Sequence, residues 1–209
     1  MKQRDNSSVL GLNRQDQKLA ASGAGVIVFN QKDDYIKVLL ARRSKKVGAG
    51  LGITGGGFAQ CDEIDQQPVG TIIYTADEAY RETCEENAGF AEIISADDFL
   101  ERAQPVTLIH VRVADDNRVH VASFFALRVT DIEWDAMKQL RPGGDDERAG
   151  PLLESLVRWD QNITRRQPER YVSIELVTGE VVGMADFWHK HEVRAIASIA
   201  WHAQHKRLW

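Results

Sequence analysis

Glu82, Glu85 and Glu86 are the residues of this chain whose type and spacing most invite chemistry. At i, i+3 and i+4 on a helix they put three carboxylates on one face. Arg81 reaches Glu85 one turn on and can hold it in place. Like charges so placed cost roughly a few tenths of a kcal/mol per pair in an isolated helix, a cost that a cation between them removes. Oxygen donors with no His or Cys at ligand spacing point to a hard ion, Mg2+ or Mn2+, rather than zinc. A solvated acidic helix face is the plain alternative, and the helix alone does not decide between the two.

The flanking elements bear on that choice. Thr75 followed by Glu78 is a capping box, so the helix is expected to start there. Upstream, residues 36–42 read as a strand, and residues 49–57 are too rich in glycine for a helix. Gly55, Gly56 and Gly57 permit close approach of backbone to a ligand, and successive N–H groups of such a turn can form an anion nest. Arg42, Arg43, Lys45 and Lys46 lead into it, either as a solubilising run or as a clamp for phosphate. A strand, a glycine turn and an acidic helix suit a metal-bound diphosphate.

The stretch resembles the Nudix box, G-x5-E-x7-R-E-U-x-E-E-x-G-U with U a bulky aliphatic residue. Arg81-Glu82-Thr83-Cys84-Glu85-Glu86 matches R-E-U-x-E-E, with Thr83 a weak U, and Gly55-Gly56 matches the opening glycines. Two features depart from the pattern. The first Glu would fall at Asp62 or Glu63 with an expanded spacer after it, and Ala88 stands where the closing glycine is expected, with Gly89 next. The resemblance covers residues 23 to 130. It implies an α/β fold, an α/β/α sandwich with a mixed sheet, and a hydrolase in which Glu82, Glu85 and Glu86 hold Mg2+, with Mn2+ as substitute. Arg81 and Glu85 would then be catalytic, while Arg42, Arg43, Gly55, Gly56 and Gly57 would meet the substrate. Members of the family often draw a further Glu from a loop beyond the box. Glu147, between Asp146 and Arg148 in an acidic Pro/Gly-bounded loop, is the first candidate and Glu133 the second.

Composition sets outer limits. A chain of 209 residues can bury one good core. We divide it into an N-terminal arm, 1–22, and one domain, 23–209, whose core is 23–130 and whose residues 131–209 are additions. A net charge of −5 argues against broad nucleic-acid binding, which needs a basic footprint. Two cysteines, Cys61 and Cys84, form no CxxC pair and suit reduced thiols in a cytoplasm. No signal peptide or membrane-spanning apolar run is visible. The arm could serve a homodimer, though none of its residues demands one. The spacer, residues 64–74, reads equally as a lid, a subunit contact or a longer loop.

Elsewhere, residues 25–29 read as a buried strand and 36–42 as its antiparallel neighbour. A short helix is expected over 96–102, a hairpin from 107–113 and 119–129, and helices over 133–140 and 152–159. A second hairpin turns at Thr178-Gly179, and 189–204 is an amphipathic helix. Phe124 and Phe125 point to opposite faces, one to the core and the other to a pocket wall. His110 and His120, in the strands, read as structural. His189 and His191 lack helical metal spacing and read as surface or capping residues. The expected function is hydrolysis of the diphosphate in a nucleoside diphosphate linked to another group, such as the nucleotide sugar ADP-ribose. The competing class is a Nudix-fold module that senses a nucleotide without cleaving it.

Overall fold

The computed structural model describes residues 18–44, 49–59, 76–112, 118–143, 148–159 and 172–205. Glu147, Asp145, Asp146, Thr75, Cys61, Asp62, Glu63, Lys45, Lys46 and the 64–74 spacer lie outside them, as do the side chains of His110 and His120. Strand β1 (Lys18–Gln31) is the axis of the molecule, and it begins inside the stretch assigned to the arm. It pairs antiparallel with β2 (Ile36–Arg43) and parallel with β7 (Arg118–Arg128), so the sheet is mixed. Strand β6 (Gln104–Arg112) extends the sheet beyond β7, the two forming the expected hairpin. On the other side β9 (Leu153–Trp159), β10 (Val172–Leu176) and β11 (Val181–Val182) follow β2 in the order β11-β10-β9-β2-β1-β7-β6.

The expected helix at 152–159 is therefore a strand. Its period is two, with Ser155 and Val157 buried, and it is hydrogen-bonded on both sides, to β2 and to β10. A seven-residue run is short enough for either period, and pairing on both edges decides it. Residues after 130 thus supply a strand flanking β2 and a whole helical layer.

Alternation along the strands makes two cores. Ile27, Phe29, Val38, Leu40, Phe124 and Ala126 face one way and are covered by α5 (Lys190–Gln204) through Val193, Ile196, Ile199 and Ala200. Val26, Val28, Leu39, Phe125 and Leu127 face the other way. They are covered by α1 (Ala76–Glu86), α2 (Phe90–Ile93), α3 (Ala96–Arg102) and α4 (Asp131–Met137), which contribute Ala79, Phe90, Phe99, Trp134 and Met137. Phe124 and Phe125 take opposite faces as expected. Full burial of such side chains contributes about 1.5–3 kcal/mol each. The result is an α/β/α sandwich. None of its described helices is long and apolar enough to cross a membrane.

Glu133 has a structural task. Its carboxylate accepts from the Thr130 amide and hydroxyl, closing a capping box at the start of α4, and takes both Nη atoms of Arg102 at 2.7 and 2.8 Å. The Arg102 hydrogen bonds hold its pKa down at about 2, against an ordinary value of 4.5. It is committed to joining α3 and α4, which removes it as a candidate for the late catalytic carboxylate.

The sign of the resulting pH effect follows. A depressed folded-state pKa stabilises fully above the unfolded value and is lost as pH falls through the folded one. Glu133→Gln is therefore expected to destabilise the protein most at neutral pH. The gap from wild type should close as pH falls from 4.5 towards 2. Urea unfolding at stepped pH checks this, and a pH-independent gap would contradict it. Thr130→Ala, which removes the cap, should cost about 1 kcal/mol.

Candidate active site

The sheet forks. Strands β1 and β2 pair directly only where Phe29–Gln31 faces Ile36–Val38. Further on, β3 (Gly50–Gly52) takes up Ala41–Arg43 of β2, while β4 (Gly55–Ala59) takes up Ser22–Val26 of β1. The gap between the two branches is a cleft of about 510 Å³ counted to its mouth. Side chains hold the fork open. Thr54 Oγ1 donates to the Leu39 carbonyl at 2.8 Å, a group of β2. Asn87 Nδ2, just past α1, donates to both the Thr54 and Thr83 carbonyls, at 2.8 and 2.9 Å.

The same contacts fix α1 against the glycine run. A Cβ on Gly55 would lie 2.7 Å from Thr83 Cα and Oγ1, so only hydrogen fits between β4 and the helix. Thr83, in place of a bulky aliphatic residue, is fully buried there and folds its hydroxyl back to the Ala79 carbonyl at 2.7 Å. The Gly143 amide donates to the Glu86 carbonyl at 2.7 Å and closes the helix's other end.

The glycines do not form an anion nest. Gly55, Gly56 and Gly57 are ladder partners of Val26, Gly25 and Ala24. None is among the positive-φ glycines, which are Gly50, Gly89, Gly150 and Gly179. Their small size lets helix and strand touch, and Gly55 also lines the cleft.

On α1 the acidic face is bound together by Arg81. Its guanidinium reaches Glu78 at 2.6 Å, Glu85 at 2.5 Å and also Glu82. Hydrogen bonds to Glu78 and then Glu85 raise the Arg81 pKa, and the same contact lowers that of Glu78. Glu82 behaves otherwise. Burial first, then repulsion from Glu85 and Glu78, raises its pKa despite Arg81. Glu86 is buried and lines the cleft, whereas Glu85 is half exposed. The donor set suits Mg2+ or Mn2+, since all three are carboxylates and Glu82 carries a desolvation strain that a cation relieves. Among the described residues no three such side chains converge on one point. Glu82 and Glu85 are turned to Arg81, so a cation held there must compete with that guanidinium.

Inside the cleft, Glu86 and Arg43 meet Arg148, His189, His191 and Glu192. Arg42 is exposed, so of the two arginines only Arg43 lines the cleft. His189 and His191 lie at the start of α5 with their rings stacked at 5.1 Å, and His191 meets Phe124 edge-on at 5.7 Å. They are pocket residues as well as helix-start residues. Arg148 was masked in sequence by its neighbour Glu147. It is buried, donates from Nη2 to the Leu140 carbonyl, and has no partner for Nε or Nη1. Burial lowers its pKa, and the charge of Glu86 opposes that. The signal available in sequence for α5's role was a His-x-His-Glu run at the start of an amphipathic helix, which points one face of polar groups at the sheet.

No protein-family model and no curated protein matches the chain. Its structure is similar to a MutT/Nudix family protein of Enterococcus faecalis, with a TM-score of 0.51 at 14% identity, over 94% of this chain and 68% of that one. A Nudix hydrolase of Listeria monocytogenes follows at a TM-score of 0.45, 11% identity, and 89% and 96% coverage. The Nudix domain of Shewanella oneidensis NrtR, solved with ADP ribose, gives 0.40, 11%, and 72% and 81%. The fold assignment rests on the first of these together with the sheet order. The chain has the Nudix fold.

Gly55→Ala is expected to destabilise the protein by about 1–3 kcal/mol, as overpacking of a tight core contact does. The added methyl meets helix backbone, which cannot move aside as a side-chain end can. Thermal or urea unfolding reads it directly, and a neutral result would mean that α1 is not seated on β4 as described.

Proposed function

We propose that this chain is a Mg2+-dependent pyrophosphohydrolase that cleaves the diphosphate of a nucleoside diphosphate linked to another group. A nucleotide sugar such as ADP-ribose is the first substrate to test. One observation carries the reading: the Arg81-bound carboxylate face of α1 is seated, through Gly55 on Thr83 and Asn87 on Thr54, beside a cleft that holds buried arginine.

Each residue then has a task. Arg43 and Arg148 bind the diphosphate oxygens, Arg148 through the Nε and Nη1 hydrogens that have no protein partner. A buried guanidinium with unused donors is costly unless an anion meets it. Glu82, Glu85 and Glu86 would hold the cation, which when bound neutralises diphosphate charge and acidifies water. Arg81, 2.5 Å from Glu85 Oε1, orients that carboxylate to accept a proton from the attacking water. Glu147 remains the candidate for a further base. Its neighbour in sequence, Arg148, lines the cleft.

A second reading has its own support. Arg81 already pairs with Glu78, Glu82 and Glu85, so each of these carboxylates has a cationic partner without a metal, as suits a module that binds a nucleotide and leaves it whole.

A panel of nucleotide sugars, dinucleoside polyphosphates and nucleoside triphosphates with Mg2+ or Mn2+ separates the two, with products read by chromatography. The enzyme reading expects turnover of at least one class, and a loss of about 100-fold or more in Glu85→Gln, the scale of a missing general base. Binding without turnover across the panel would leave the sensor reading standing instead.

A further inference from the structure

Glu192 is the cleft residue that neither the box nor the proposed chemistry uses. It lies in the first turn of α5, is only 5% exposed, and lines the cleft beside Arg43, Gly52 and Ile53. The Ile53 backbone lies within hydrogen-bonding reach of its carboxyl. Oε2 is buried with no hydrogen-bond partner among the described residues. A buried polar atom left unsatisfied is uncommon and calls for a partner from outside the chain.

The surroundings define the shape of that partner. Gly52 lies against Oε2 and the Arg43 stem, since a Cβ there would sit 3.6 Å from the one and 3.7 Å from the other. On one side stand the rings of His191 and Phe124, 5.7 Å apart. On another runs the backbone of Gly23, Ala24 and Gly25, with the Ile53 side chain and the Phe124 ring packed over Gly25. Aromatic walls and one buried, unpartnered oxygen suit a planar heteroaromatic ring with a polar edge. The arginines Arg43 and Arg148 line the same cleft.

We infer that Glu192 reads the base of the bound nucleotide, its Oε2 hydrogen-bonding the polar edge of a ring seated against His191 and Phe124. This rests on the nucleotide reading of the cleft and adds a specificity residue from the C-terminal helix. Burial pushes the Glu192 carboxyl up to about 8 against the pull of Arg43 and the Ile53 amide. At neutral pH the open oxygen can therefore donate as well as accept, which favours a base edge that offers an acceptor beside a donor. A site built on a buried hydrogen bond rejects ligands that leave it unmade, by more than an apolar wall can.

The test is calorimetric binding of ADP, GDP, CDP, UDP and inorganic pyrophosphate to the full chain in EDTA, where no turnover intrudes. Wild type should bind at least one nucleoside diphosphate more tightly than pyrophosphate and rank the four bases. Glu192→Gln keeps the shape but fixes the donor and acceptor, so the ranking should change by about tenfold or more while pyrophosphate affinity stays within about twofold. Gly52→Ala leaves the carboxyl in place and sets a methyl in ordinary contact with Oε2 and with the Arg43 stem, so it should fold and weaken the nucleotides by more than it weakens pyrophosphate. If Glu192→Gln does not fold, Gly52→Ala carries the comparison. A ranking untouched by these variants overturns the role of Glu192 and leaves the nucleotide reading intact. Wild type that binds pyrophosphate as tightly as any nucleotide overturns it too, and wild type that binds none of the five, either in EDTA or with Mg2+ restored, overturns both.

Discussion

The separation of β1 from β2 is the constraint on which the rest depends. Two antiparallel strands that pair for three residues and then part must give their freed backbone groups new partners, because unpaired buried amides and carbonyls are costly. Strands β3 and β4 supply most of them, and Thr54 supplies another by donating to the Leu39 carbonyl. Asn87 then joins this turn to the end of α1. The glycines follow from the same demand, since Gly55 must pass within van der Waals contact of helix backbone. The cleft, the seat of the acidic helix and the glycine-rich sequence are thus consequences of one topological choice.

The acidic face is an electrostatic balance with a movable weight. Arg81 stands among Glu78, Glu82 and Glu85 and satisfies them in the absence of any other cation. Glu82 remains under strain from burial and from its acidic neighbours. A divalent ion offers more charge in less volume than a guanidinium, so on the proposed reading the two would compete for the same oxygens. This competition separates an enzyme, in which the ion prevails when substrate phosphate adds its own ligands, from a binding module in which Arg81 keeps them.

Much of the frame was legible in sequence because it is written in periodicity. The β6–β7 hairpin, α3, α4, the hairpin at Gly179 and the amphipathic α5 all lie where apolar spacing puts them, and Phe124 and Phe125 divide between the two cores as alternation demands. What failed were features set by distant partners. Residues 153–159 read as a helix because seven residues fit either period, and only β2 and β10 on their two edges make them a strand. The glycine run read as a loop because glycine propensity says nothing of β1 and β2 waiting to pair with it. In the site, the box helix was found by its motif. His191, Arg148 and Glu192 were not, because only the fold brings their distant segments to one cleft. Glu133, the second candidate for a carboxylate from beyond the box, is spent on Arg102 and a helix cap.

On the proposed reading the α1 carboxylates bind a hard divalent cation in competition with Arg81. Electron paramagnetic resonance of free Mn2+ titrated against the protein measures that binding without reference to any substrate. Wild type should bind Mn2+ and release it to Mg2+, and Glu82→Gln and Glu86→Gln should each weaken binding by about tenfold or more while remaining folded, on the scale of lost metal-site support. Wild type that leaves all Mn2+ free, or variants that bind it as wild type does, would contradict the claim.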